Sequence, residues 1–212
     1  MTSPASEWRP DWRGQAAAII ASGPSAKHTK ISLLRDRVRV LAIKENHELA
    51  PWADVVYGCD RAWWRNRQGL HEFTGLKISQ AAELTASYPD IRIVKVDNTK
   101  DKILLDDTKV VGSGGNSGFQ ALNLAVQFGA DRILLIGFDM HARSGVHWYG
   151  RNNGQGRSNP SEHNFKRWRA AFEGSADMLK ERGVDVVNAS LISELTCFRV
   201  AKVDVAMAEW GV

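Results

Sequence analysis

Short runs of apolar residues recur along the chain, and each is cut off by a cluster of small or polar residues. The first, Ala16-Ala17-Ala18-Ile19-Ile20-Ala21, does not alternate with polar positions and stops at Ser22-Gly23-Pro24-Ser25. A parallel strand covered by helices on both faces has this pattern, because neither face meets water. The runs at 38–43, 54–57, 91–96, 133–136 and 184–187 repeat it and are predicted as strands, with a short strand or an excursion within 103–111. Helices are predicted between them, at 26–35 with Ser25 as N-cap, 61–67, 116–128, 164–182 and 204–210. The best of these is 116–128, where Phe119, Leu122 and Val126 recur at helical spacing and Gly129 ends the run.

Strands alternating with helices imply an α/β fold, a Rossmann-like doubly wound and mostly parallel sheet with helices on both faces. A chain of 212 residues, 43% of them apolar, suits one such domain. Residues 1–15 are polar and read as an N-terminal arm, with 16–212 as the domain. The stretch 140–161 is rich in Gly, Asn, Arg and Ser, and a loop of that length is either functional or disordered.

Composition removes several classes. No apolar run approaches the roughly 20 residues of a membrane span, so no membrane partner is expected. The first fifteen residues lack the apolar stretch of a secretory signal. Cys59 and Cys197 have neither metal-ligand spacing nor the numbers for a disulfide framework, so the expected location is cytoplasmic. A net charge of +4 suits a phosphorylated ligand or nucleic acid without choosing between them. The tryptophans beside arginines, Trp63-Trp64-Arg65 and Arg167-Trp168-Arg169, read as helix faces whose arginines reach to water, ahead of base-stacking platforms.

Ligands of open α/β sheets bind outside the carboxyl ends of the strands, so the strand-end turns are the candidates. Ser22-Gly23-Pro24-Ser25 is not the dinucleotide pattern G-x-G-x-x-G, and no P-loop sequence occurs. It still offers backbone N–H groups and hydroxyls suited to phosphate. Gly112-Ser113-Gly114-Gly115-Asn116-Ser117-Gly118 is the stronger signal, because its glycines abut a helix start where the dipole favours an anion. The alternative is a plain connection in which Asn116 or Ser117 caps the helix. Gly137-Phe138-Asp139 places an aspartate where it can accept hydroxyls or merely cap a turn. His141, His147 and His163 are three of the six histidines and lie in or beside the 140–161 loop, where a histidine can serve as general base. Their spacing matches no zinc site, and no Asp-x-Asp is present to hold a metal diphosphate, so no metal site is expected.

The set formed by Ser22 to Ser25, Asn46, the Gly/Asn/Ser turn before a helix, and Gly137-Phe138-Asp139 resembles the bacterial sialyltransferase-like fold. That fold is shared by the family 42 glycosyltransferases and the DUF115 (MptE-like) pterin pyrophosphokinases. Pro51-Trp52-Ala53-Asp54, Cys59-Asp60-Arg61-Ala62-Trp63-Trp64 and His147-Trp148-Tyr149-Gly150 are more similar to phage-encoded members. The resemblance spans roughly residues 16–198 and implies the following roles. Ser22, Gly23, Pro24, Ser25 and Asn46 would hold the nucleotide phosphate and sugar, with Asp60 and Gly137 beside them. Ser113, Gly114, Gly115, Asn116 and Ser117 would line the donor. Tyr149 would steady the departing phosphate, and His147 would deprotonate the acceptor hydroxyl near Asp139. Lys44-Glu45 departs from the resemblance, because a charged pair stands where small polar residues are expected.

The implied function is metal-independent transfer from a nucleotide-activated, CMP-sugar-like donor to a hydroxyl, with no cofactor. The acceptor would be a glycan or DNA, and a homo-oligomer is left open. The alternatives are a pyrophosphokinase using Mg²⁺ on Asp60, Asp97 and Asp139, or a non-catalytic nucleotide- or DNA-binding module.

Overall fold

The computed structural model describes residues 8–153 and 158–212. The first apolar run forms β1 (Ala16–Ile20), and the next ones form β2 (Arg39–Ile43) and β3 (Val55–Tyr57). Then follow α1 (Arg61–Asn66), β4 (Leu76–Ser79), β5 (Ile91–Ile93), β6 (Lys95–Asp97), β7 (Val110–Gly112) and α2 (Ser117–Gln127). The chain ends with β8 (Arg132–Ile136), α3 (Glu162–Glu181), β9 (Asp185–Asn188), β10 (Arg199–Val200) and α4 (Val203–Glu209). Eight strands make one sheet in the order β10-β9-β8-β1-β2-β3-β4-β5, and β6 pairs with β7 in a small second sheet. The pairings are parallel, with Ile19 beside both Leu41 and Leu135.

β1 is continuously apolar because its two faces enter separate cores. Ala17 and Ile19 pack with Leu41, Phe119, Leu122 and Phe172 on the side of α2 and α3. Ala16, Ala18 and Ile20 pack with Val40, Trp63, Trp64 and Met207 on the side of α1 and α4. Part of the N-terminal arm belongs to the first core. Trp12 is buried, its N–H donates to Phe128 O at 2.7 Å, and the two rings meet edge to face at 4.9 Å. Residues 1–7 of the arm and 154–157 of the long loop lie outside the described residues.

Several expected elements take other forms. Residues 26–35 do not form an α-helix, and two 3-10 turns, Pro24–His28 and Ile31–Leu34, connect β1 to β2. Ser25 caps neither turn, because its N–H and hydroxyl both go to Asp139. The run at 91–96 divides between β5 and β6, since Val94 N–H still reaches Ser79 O but Lys95 N–H turns to Lys109 O. β4 was not legible as a strand: its Lys77 is buried against the carboxylate of Asp90 at 2.6 Å and interrupts the apolar pattern. β10 is too short to carry a pattern. α2 begins as expected, with Asn116 Oδ1 accepting from Phe119 N at 2.9 Å. α3 starts two residues before the expected position, on a reciprocal cap between Ser161 and Asn164.

Candidate active site

After β1 the chain lays strands outward on one side as far as β5, then returns to place β8 on the other side of β1. The two loops leaving β1 and β8 therefore diverge, and a crevice opens at the carboxyl ends of these strands. A cleft of about 320 Å³ occupies it. Its walls come from 21–23 after β1, 43–45 after β2, Cys59 and Asp60 after β3, 115–118 at the start of α2, and 137–141 after β8. Val146, His147, Tyr149 and Asn152 of the long loop cover one side, and Trp168 of α3 closes another.

The β1 and β8 turns are locked together. Gly23 N–H donates to Gly137 O at 2.9 Å, and Asp139 accepts the Ser25 N–H at 2.9 Å and the Ser25 hydroxyl. A Cβ on Gly23 would lie 2.5 Å from both Asp139 Oδ1 and Gly137 O, so only glycine lets the turns approach this closely. Ser22, Gly23, Gly137 and Asp139 line the cleft, whereas Pro24 and Ser25 do not. Asp139 is buried and, through Ser25, holds the first turn in place.

The loop is tied to the same turn. Trp148 N–H donates to Ser22 O at 2.9 Å, and Ser22 Oγ lies 3.0 Å from His147 Nδ1. The His147 ring stacks on Tyr149 at 4.9 Å and 14°. Asn152 donates its amide to Ser158 O at 2.9 Å, which orients that amide so its nitrogen faces His147 Nε2 at 3.4 Å. The two ring nitrogens of His147 thus meet the Ser22 hydroxyl and the Asn152 amide nitrogen at the cleft wall. The other two histidines do not join it. His141 is buried between Arg143 N–H and Ile192 O, each 3.2 Å away, and His163 is exposed on the first turn of α3. Asn46 is fully buried outside the cleft lining; its side chain bridges Ile43 O and Trp148 Nε1, at 2.5 and 2.8 Å, and so braces the loop.

Gly115, Asn116 and Ser117 reach the cleft, but Ser113 and Gly114 do not. Gly114 and Gly115 have φ of +54° and +71°, and a Cβ on Gly114 would sit 2.1 Å from the Phe119 ring. The glycines thus permit a left-handed turn that delivers the N-terminus of α2 to the cleft wall. Trp168 lies beneath this turn, with its indole 3.1 Å from where a Gly115 Cβ would be and its buried Nε1 unpartnered.

Two cleft residues carry chemistry that the motifs did not single out. Lys44 forms an ion pair with Asp60, and its backbone takes a φ of +52°, unusual for a side-chain-bearing residue. Burial works against its charge, but the charge and hydrogen bond of Asp60 favour the ammonium, and its pKa stands above the ordinary lysine value. Cys59 accepts the Ser117 hydroxyl at 3.0 Å. Burial raises the Cys59 pKa, and Lys44 only partly counters it. The signal for both was their position at strand ends, where a lysine and a cysteine match no short motif. Iodoacetamide at pH 8 is expected to modify Cys59 more slowly than a free cysteine, because little thiolate is present. Peptide mass spectrometry over time checks this, and labelling at the free-cysteine rate would contradict the protected thiol.

The carboxylates proposed for Mg²⁺ do not converge. Asp60 pairs with Lys44, Asp139 holds Ser25, and Asp97 lies on β6 in the second sheet, bonded to Thr99. Among the described residues no group of three His, Cys, Asp or Glu is placed to hold a metal ion. The basic-aromatic clusters are occupied in part. Trp63 and Trp64 are fully buried, and Arg61, Arg67, Arg167 and Arg169 pair with Glu83, Glu48, Asp101 and Glu194. No helix among the described residues is long and apolar enough to cross a membrane.

The fold is a Rossmann-like α/β domain that matches a glycosyltransferase fold. Among solved structures the chain is similar to the sialyltransferase CstII from Campylobacter jejuni in complex with cytidine-5'-monophosphate. The TM-score is 0.60 at 12% identity, covering 90% of this chain and 86% of that one. The same enzyme with CMP-3FNeuAc gives 0.58 at 11%, over 89% and 86% of the chains. A sialyltransferase CST-II complex with trisaccharide acceptor and CMP gives 0.56 at 12%, over 87% and 85%. No family model matches the sequence, and no curated protein does.

Proposed function

We propose that this chain is a metal-independent glycosyltransferase-like enzyme that moves a group from a CMP-sugar-like donor to a hydroxyl acceptor. The observation that carries the reading is the Ser22–His147 pair facing the start of α2 across one cleft at the switch in strand order. The likeness to folds solved with CMP and with CMP-3FNeuAc supports a nucleotide-activated donor.

In this reading the donor phosphate lies against the N-terminus of α2 and the turn at 22–23, where N–H groups and the helix dipole favour an anion. The acceptor hydroxyl approaches His147 Nε2. As its oxygen bonds to the sugar carbon, its proton passes to Nε2, and the bond from that carbon to the phosphate oxygen breaks with its electron pair leaving on phosphate. Tyr149, stacked on His147, is placed to donate to the departing phosphate. Displacement in line gives inversion at the carbon. The acceptor is a glycan, or a modified DNA base if the chain is phage-encoded.

The test is thermal unfolding with CMP, UDP, GDP, ADP, ATP and their sugar conjugates, each with and without Mg²⁺. CMP at 100 times its dissociation constant is expected to add about 2.7 kcal/mol without metal. Stabilisation only by ATP with Mg²⁺ would overturn the reading in favour of a pyrophosphokinase. No shift with any nucleotide would leave a binding module, with DNA as the first partner to test.

A further inference from the structure

Lys44 is the sole lysine or arginine among the described residues that line the cleft. The acids around it are Glu45, Asp60 and Asp139, so the cleft has little positive charge to meet a phosphate. Transfer from a nucleotide sugar raises that demand. The donor phosphate carries one negative charge as a diester and gains a second as the bond to the sugar breaks. A cation in contact with it therefore does more in the transition state than in the bound donor.

The position of Lys44 is built rather than incidental. The chain leaves β2 and enters a 3-10 turn, Lys44–Glu48, through the left-handed conformation of Lys44. His47 Nδ1, 2.7 Å from Lys44 O, and the Asn46 amide bonded to Ile43 O hold this turn. A side-chain-bearing residue persists in that conformation only where its surroundings impose it, and such residues cluster at ligand clamps. Asp60, one strand over, holds the ammonium at the cleft, where 25% of the Lys44 side chain is exposed. Tyr149 lines the same cleft.

We propose that Lys44 is the cation that receives the departing phosphate, presented by Asp60 and acting beside Tyr149. This inference rests on the nucleotide-sugar reading above. Lys44 stays protonated throughout. The acceptor proton goes to His147, and the leaving electron pair stays on the phosphate oxygen next to the ammonium.

The experiment compares the intact protein with Lys44→Met and Lys44→Arg. Calorimetry measures binding of CMP and of cytidine, and turnover is followed as CMP release from CMP-sugar. Lys44→Met is expected to weaken CMP about tenfold and leave cytidine unchanged, since only the phosphate contact is lost. Its kcat is expected to fall about 100-fold or more, with a smaller change in KM, and Lys44→Arg to recover part of it. If unpaired Asp60 unfolds the Met variant, Lys44→Met with Asp60→Asn removes both charges and gives the same comparison. Unchanged CMP affinity and kcat in variants of a wild type that binds CMP would overturn the role of Lys44 and leave the nucleotide reading standing. A wild type that binds no CMP and releases none from the donor would overturn both.

Discussion

Gly137→Ala is expected to destabilise the protein by about 3 kcal/mol or more, a large share of the roughly 5–15 kcal/mol that holds a domain folded. Gly137 follows β8 with a φ of +75°, where any L side chain is strained by about 1–2 kcal/mol. Its Cβ would also lie 2.2 Å from Ala21 O and 2.9 Å from the Ala26 Cβ. Neither neighbour is a flexible side-chain tip. Ala21 N–H is bonded to Ile136 O at 2.8 Å, and Ala26 is fully buried, so relief requires prising apart the ends of the two central strands. Gly174→Ala is the control. Gly174 lies within α3 with open space around its Cβ position, so alanine is expected to stabilise by about 0.5–1 kcal/mol. Urea unfolding of both variants decides the matter, and a Gly137→Ala protein as stable as wild type would show that the strand ends can yield. Nucleotide binding should fail with the fold in Gly137→Ala, because the same turn forms the cleft floor.

His147→Ala is expected to lower kcat for group transfer by about 10²–10⁴-fold, the usual contribution of a positioned general base. Donor KM should change little, since the proposed phosphate contacts are the start of α2, the turn at 22–23, Tyr149 and Lys44, and none is His147 itself. Ser22→Ala leaves the base but removes the group that orients it through the 3.0 Å contact, so a smaller loss of about tenfold is expected. Steady-state kinetics of both variants with one CMP-sugar donor separate these roles. Unchanged turnover in His147→Ala would remove it from the mechanism, and a Ser22→Ala loss as deep as that of His147→Ala would make the hydroxyl a participant.

Both variants act on parts of the molecule that differ in how far they could be read in advance. β1, β2, β3, β8 and β9 were legible because a strand buried on both faces must be apolar throughout, and that demand is local. α2 was legible for the same reason, with Asn116 as its cap. The strand-end turns were therefore legible as the places where a ligand would bind. The contents of those turns were harder to read. A serine at a turn has the same letter whether it lines an open cleft, as Ser22 does, or turns to a buried carboxylate, as Ser25 does. Asn46 and Asp139, read as site residues, bond the loop and the first turn, contacts that no local pattern announces.

By itself, then, the chain's pattern determined the class of fold, the order of its main strands and the end of the sheet that carries the site. Each follows from burial and backbone preference over a few neighbouring residues. The tertiary structure alone decided that His147 rather than His141 or His163 meets Ser22, that Asp139 is already engaged, and that Lys44 is the cation facing the cleft. It also turned the expected helix after β1 into 3-10 turns and divided one apolar run between two sheets. The physical reason is distance along the chain. The contacts of Ser22 with His147 and of Ser25 with Asp139 span 125 and 114 residues, and they form only once β8 lies beside β1.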